Sequence, residues 1–183
     1  MIAIPDIAVY GETPVTFLLN PFITMTYEIS RFIAAQDGGA SHDKSGTAYQ
    51  VALKEIRNGA KLGHWIWFVF PQGPFGTSEV SRLYAIESCS EAIAYLKHPL
   101  LRNRLLEVTE AVTEKLGSGI FSAVLMGTEI DCQKLVSSMT LFNYIATQQS
   151  DQILLSATNR ALQELHSQGW EKCTKTLEWL HKS

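Results

Sequence analysis

The chain has 183 residues, of which 46% are hydrophobic and 18% charged, and its formal net charge is −3. This composition is typical of one globular domain, which at this size buries roughly 70% of the surface that its unfolded chain would expose. The weakly acidic balance does not favour binding to nucleic acid or to an anionic membrane.

The three cysteines, Cys89, Cys132 and Cys173, are widely separated and show no CxxC spacing. We therefore expect reduced thiols in a cytoplasmic protein. No stretch approaches the ~20 uninterrupted apolar residues that a membrane-spanning helix requires. The first residues lack a basic start and are broken by prolines, so we do not expect a signal peptide.

Residues 1–21 are predicted to form an irregular or partly extended N-terminal extension, with one short strand around residues 15–19. The prolines at positions 5, 14 and 21 argue against a regular element there. Residues 22–183 are predicted to form a single helical domain.

Apolar residues at helical spacing predict a mainly α protein, a single-domain orthogonal array of several helices. Pro99 fits the first turn of a long helix, and Ser88 with Glu91 has the spacing of a capping box at the start of the helix before it. Gly127 is expected to end a short helix. In chain order, the helices are predicted around residues 29–36, 51–58, 89–97, 99–117, 119–126, 135–146, 151–166 and 171–181.

The run HWIWFVFPQ at residues 64–72 contains four aromatic rings between polar groups. In a strand, Trp65, Trp67 and Val69 would share one face, whereas a helix would align His64 with Trp67. Periodicity leaves both structures open. Because no second convincing strand is available to pair with this run, we favour a buried helix that ends at a Pro/Gly turn.

Two motifs, HWIWFVFPQ at residues 64–72 and SSMTLF at residues 137–142, resemble those of an uncharacterised bacterial and fungal family. The family is catalogued as a domain of unknown function and is often mislabelled "calpastatin". The likeness spans roughly Arg31 to Leu180. It implies a mainly helical fold and brings no known activity. Calpastatin itself is a disordered, charge-rich inhibitor, whereas this chain has the composition of a packed domain.

The aromatic run and its neighbours form a first candidate site. Trp and Tyr rings can stack on a planar ligand, and Lys61 and His64 can neutralise an anionic group beside it. The alternative is that the tryptophans belong to the core and that Lys61 is solvated. If His64 and Gln72 are buried, they need either an internal hydrogen-bond network or a ligand.

Cations surround the predicted start of the helix that begins at Pro99: Lys97, His98, Arg102 and Arg104. They oppose the helix dipole, which favours anions at that end, so they indicate an internal or external anion such as phosphate. The alternative is an exposed rim that forms salt bridges with Glu107 or Glu110.

A third cluster contains Lys134, Ser137 and Ser138, which are expected to share one helix face opposite an apolar stripe that starts at Leu135. Serine is not favoured inside a helix by propensity. Buried hydroxyl and ammonium groups need acceptors, which indicates a ligand or a carboxylate such as Asp131.

Motifs of established chemistry are missing from the sequence. The Ser/Lys cluster at residues 134–138 has no SxxK spacing, the sequence contains no nucleophile elbow, no Walker loop and no GxGxxG, and its five histidines show no HxxxH or HExxH spacing. We therefore predict no metal site and no cofactor. If the protein is an enzyme, His64 and His98 are the candidate acid–base residues, because their side chains titrate near neutral pH.

These observations predict a pocket that binds, and could process, a small anionic nucleotide-like molecule. The alternative is a non-catalytic helical protein-interaction module, which would expose a contiguous apolar patch. The ligand's identity, any reaction and the oligomeric state stay open. The residues predicted to bind the ligand are Lys61, His64, Trp65, Trp67, Gln72, Tyr84, Arg104, Lys134, Ser137 and Ser138.

Overall fold

The computed structural model of the protein describes residues 28–39 and 43–182. The predicted extension over residues 1–21 and its strand lie outside these residues, and the domain boundary at residue 22 stays a prediction. Within the described part, regular structure consists of ten helices and two isolated bridges, Gly39 with Thr47 and Gln72 with Ala85. The predicted mainly α fold is confirmed.

The helices are, in chain order, α1 Ser30–Asp37, α2 Ala48–Arg57, α3 Ile66–Val69, α4 Glu79–Leu83, α5 Cys89–Lys97, α6 Pro99–Gly117, α7 Ser122–Met126, α8 Glu129–Gln148, α9 Gln152–Ser167 and α10 Thr174–Leu180. None of the helices in the described ranges has the length and hydropathy that crossing a membrane requires.

Local sequence signals account for most helix ends. Pro99 is in the first turn of α6, and Gly127, with φ +77°, ends α7 in the left-handed conformation that glycine adopts without strain. Ser88 caps α5 by accepting from the Glu91 backbone N–H. The Glu91 carboxylate does not complete a capping box, because it accepts from the Glu87 backbone N–H and pairs with Arg31.

Helix α8 is the centre of the fold. It packs against α3, α5, α7, α9 and α10, and every residue from 135 to 143 is buried. Helices α6 and α9 pack together beside it, and α2 packs on α6. The middle of α8 is covered on all sides, so Ser137 and Ser138 are buried along with the apolar stripe that starts at Leu135.

The aromatic run forms the favoured helix, but only as the single turn Ile66–Val69. Pro71 accounts for its short length, because proline has no N–H to donate and disfavours the helical conformation of the residue before it. Phe70 accordingly leaves the helical region, with φ −120° and ψ 73°. The chain then extends, and Gln72 forms a parallel bridge with Ala85.

Candidate functional site

A small cleft lies where α3, the loop after it, the end of α4 and α8 meet. Four of the predicted ligand-binding residues line it together: Trp67, Gln72, Tyr84 and Lys134. Gly73, Gly76 and Ser81 complete the lining, and the sequence analysis did not anticipate them. The cavity volume is about 40 Å³. Because one water needs roughly 10–15 Å³ by this measure, the cleft holds a few waters or one small chemical group.

A buried cluster of three charges adjoins this cleft through Lys134, the member that lines it. The Asp131 carboxylate receives Lys61 Nζ at 2.6 Å on Oδ2 and Lys134 Nζ at 2.8 Å on Oδ1. The exposed fractions of the three side chains are 8% for Lys61, 10% for Asp131 and 19% for Lys134. Neither lysine has another ion-pair partner among the described residues, so two ammonium groups share one carboxylate and the cluster has a net positive charge.

Asp131 is ionised at neutral pH. Burial raises the pKa of this carboxyl, but the hydrogen bonds from Lys134 and Lys61 outweigh that effect and leave its pKa below the ordinary value of 3.8. The sequence indicates either a ligand or a carboxylate such as Asp131 as the partner of Lys134. The structure shows that pairing, and it adds Lys61 as a second cation on the same carboxylate.

Two tryptophans cover the lysines of the cluster. Lys134 Nζ lies 4.2 Å from the centroid of the Trp67 ring, and Lys61 Nζ lies 5.4 Å from that of Trp65. Both distances are within the range of cation–π attraction. One face of Trp67 is thus occupied by Lys134 and is not available for a ligand to stack on.

Glu55 of α2 positions the loop that carries Lys61, a role that the sequence analysis missed. Its buried Oε2 accepts from the backbone N–H groups of Leu62 and Gly63 at 2.8 and 3.0 Å and from Trp65 Nε1 at 2.7 Å. The Lys61 backbone N–H donates to the Leu125 carbonyl at 2.8 Å. The sequence signal for this role is an acidic residue at an apolar position of the α2 pattern.

Several polar side chains of the cleft have donors or acceptors that form no hydrogen bond with the described residues. Among the residues that the structure describes, the side chains of Trp67, Gln72 and Tyr84 have no hydrogen-bond partner. Lys134 uses one of its three ammonium protons on Asp131. The cleft is therefore rich in donors, with a cation in its lining.

His64 does not join the other members of its motif. Its side chain is exposed, lies outside the cleft lining and has no hydrogen bond or ion pair with any described residue. The structure therefore does not bring His64 into the lining of the cleft that contains Lys134, and its predicted binding role stays a prediction. The physical reason is local: Glu55 holds Gly63 and Trp65 inward on either side, and the residue between them faces out.

Arg104 and Arg102 pair with carboxylates of the chain itself. Arg104 donates hydrogen bonds to the Asp37 carboxylate at 2.6 Å and to the Gln36 side-chain oxygen at 3.2 Å, and these bonds join α6 to α1. Arg102 makes two bonds to Asp151, at 2.6 and 2.7 Å, which joins α6 to the start of α9. The anions that the sequence predicts near the start of α6 are thus internal, and they are Asp37 and Asp151 in place of the expected Glu107 or Glu110.

Ser137, Ser138 and His98 do not line the cleft. Ser137 Oγ lies 2.9 Å from Thr176 Oγ1 and ties α8 to α10. Ser138 Oγ and His98 Nδ1 are buried, and neither has a hydrogen-bond partner within the described ranges. Over the same ranges, no group of three or more His, Cys, Asp or Glu side chains is arranged to hold a metal ion.

The fold and the cleft together define a class of protein. It is a small helical domain in which a buried ion cluster with a net positive charge lies beside a cleft lined by hydrogen-bond donors. The chain belongs to the family described as "Protein of unknown function (DUF1810)", whose model matches residues 26–179. That description assigns no activity, and it lends no support to the calpastatin label.

A solved structure shares this fold. The chain resembles the crystal structure of the conserved hypothetical protein Rv1873 from Mycobacterium tuberculosis, with 33% sequence identity and a TM-score of 0.68. The likeness covers 85% of this chain and 97% of that one. No curated protein matches the chain in sequence.

Proposed function

We propose that the cleft binds the anionic group of a small, nucleotide-like molecule. Lys134 is the charged contact, and Trp67, Gln72 and Tyr84 supply hydrogen bonds. The observation that carries this proposal is the pairing of two lysines with one buried carboxylate. A buried charge without a counter-charge is costly, so an anion beside Lys134 would lower the free energy of the site.

The size of the cleft supports an anionic group as its occupant and places the rest of the ligand outside. Drug-sized ligands occupy pockets of roughly 300–1,000 Å³, far more than the cleft offers. A phosphate or carboxylate group suits both the volume of about 40 Å³ and the surrounding donors.

A binding role has more support than a catalytic one. His64 is exposed and His98 does not line the cleft, so neither candidate acid–base residue lies beside Lys134. We also propose a cytoplasmic location, which agrees with three cysteines that all remain free.

Thermal-shift and calorimetric titrations with inorganic phosphate, AMP and adenosine test the proposal. We expect phosphate and AMP to bind and raise Tm, whereas uncharged adenosine has no effect. Lys134→Met should abolish both effects. The matched control is Lys97→Met, which removes the same charge from an exposed lysine with no ion pair among the described residues. His64→Ala should bind like the wild type.

Two outcomes would contradict this function. One is that neither phosphate nor AMP binds to the wild type. The other is that both bind equally well to the Lys134→Met variant.

A second candidate function is a non-catalytic protein-interaction module. It is favoured by large apolar side chains that stand exposed on and around α7. The loop at Lys61 is tied to α7 through the Leu125 carbonyl, which places the neighbouring Leu62 beside this helix. The exposed fractions are 74% for Leu62, 68% for Phe121, 59% for Val124 and 64% for Ile130. Exposed apolar patches of this kind often mark interaction sites.

Sedimentation velocity over a range of protein concentrations tests whether this surface mediates self-association. A concentration-dependent shift that Phe121→Ser removes would support the module. A monomer at every concentration would contradict self-association through this face.

A further inference from the structure

We infer that Lys61 sets the charge of the cleft without contacting the ligand, by neutralising Asp131 so that Lys134 meets the ligand as an uncompensated cation. The inference rests on the proposed function and deepens it. It assigns Lys61 a positioning role, and it identifies the ligand class as a small oxyanion, such as inorganic phosphate or a phosphate monoester, recognised mainly by its charge.

The division of the Asp131 carboxylate between two lysines is the geometric basis. Lys61 occupies Oδ2 and Lys134 occupies Oδ1, so each oxygen has its own ammonium. Only Lys134 lines the cleft. Lys61 is therefore a cation behind the carboxylate, and its effect on a ligand passes through Asp131.

Lys61 is held in place by the fold. Its side chain is 8% exposed and lies over Trp65, and its backbone is bonded to Leu125. Trp65 is itself fixed by the Glu55 carboxylate. Charges at buried positions are screened by salt far less than those at the surface, so this cation keeps its influence at physiological ionic strength.

The charge balance gives Lys61 a specific effect. Without Lys61, Asp131 and Lys134 would form a neutral pair, and the nearby carboxylate would repel an incoming anion almost as much as the ammonium attracts it. With Lys61 present, the carboxylate is already compensated and the attraction of Lys134 remains. At the few ångströms that separate these groups, Coulomb energies in a protein change affinities by about tenfold or more.

The experiment is a charge-restoration cycle measured by calorimetric titration with inorganic phosphate. Lys61→Met should weaken phosphate binding by about tenfold or more. The double variant Lys61→Met with Asp131→Asn should recover most of the affinity, because Lys134 is again an uncompensated cation. A structural role alone would not produce this recovery, since the second substitution removes another member of the cluster. Lys61→Gln serves as a second single variant, and circular dichroism verifies folding.

The titration also separates the sources of the oxyanion. Equal affinities for phosphate and AMP support recognition of the oxyanion alone, and tighter binding of AMP supports a phosphate monoester whose remainder adds contacts. Phosphate affinity of wild-type strength in Lys61→Met, or further weakening in the double variant, overturns the inference and leaves the proposed function intact. If the wild type binds neither phosphate nor AMP, both are overturned.

Discussion

Lys134 and Trp67 are in direct contact, with the ammonium nitrogen 4.2 Å from the centroid of the indole. They belong to α8 and α3, so the contact joins two segments that are distant in sequence. Asp131, one turn before Lys134 on α8, holds the same ammonium from another direction. The cation is fixed between a carboxylate and a ring, with ammonium protons left for the cleft.

Removal of the Asp131 carboxylate should destabilise the protein strongly. In Asp131→Ala, Lys61 and Lys134 become two buried cations without a counter-charge, and we expect a loss of about 3–5 kcal/mol in the free energy of unfolding. Urea denaturation at neutral pH measures it. The control is Glu110→Ala, which breaks an exposed pair with Arg160 and should change stability by only about 0.5 kcal/mol. Equal losses in the two variants would refute the structural importance of the cluster.

Stability should fall in acid through Asp151. The hydrogen bond from Arg102 lowers the pKa of this carboxyl below its ordinary value of 3.8, although partial burial opposes the shift. A lowered folded-state pKa means that the stabilisation is complete above pH 3.8, the unfolded value, and is lost as the pH falls through the folded one. We expect the urea midpoint, measured at several acidic pH values, to fall less steeply with decreasing pH in Asp151→Asn than in the wild type. An equally steep fall in the wild type and in Asp151→Asn would contradict the assignment of this acid sensitivity to Asp151.

Glu55 should be needed to hold the loop before α3. Glu55→Ala leaves the N–H groups of Leu62, Gly63 and Trp65 without this acceptor, and we expect a loss of about 3 kcal/mol or more. The Trp65 indole N–H resonance in an NMR spectrum should shift at the same time. Glu55→Gln keeps one acceptor oxygen and should lose less. An unchanged Trp65 resonance in Glu55→Ala would show that the carboxylate does not position this ring.

Arg104 should matter for stability and not for the cleft. Arg104→Met removes the bonds to Asp37 and Gln36, which should cost about 1 kcal/mol because Asp37 is half exposed. Phosphate affinity should stay at the wild-type value, since Arg104 does not line the cleft. A tenfold weaker phosphate affinity would instead return Arg104 to the binding site, as the sequence analysis had predicted.

Most of the helical fold could be predicted from the sequence. Apolar spacing located the long helices, and Pro99 and Gly127 marked their ends. Helix α4 was missed because none of its residues is buried, so it carries no apolar stripe that a pattern could reveal. Helix α3 was predicted as a helix, but Pro71 limits it to one turn.

The candidate site could be predicted only in part. Trp67, Gln72, Tyr84 and Lys134 were predicted as members of one pocket, and they line one cleft. Glu55 was missed as the residue that orients the loop, because a single acid in an apolar stripe does not indicate which donors it will meet. The predicted binding roles of the other residues stay predictions.

The sequence by itself determined the long helices, most of their ends and the family, because periodicity, end signals and motifs are properties of consecutive residues. Asp131 and Lys134 are i,i+3 neighbours on α8, whereas only the tertiary structure decided which charges meet between elements. Lys61 and Lys134 share Asp131 because α7 and α8 pack against the loop before α3, and the same packing gives Arg102 and Arg104 internal carboxylates as partners. Between elements, a charged side chain pairs with whichever partner the packing of distant faces brings within a few ångströms, and no local pattern encodes that choice.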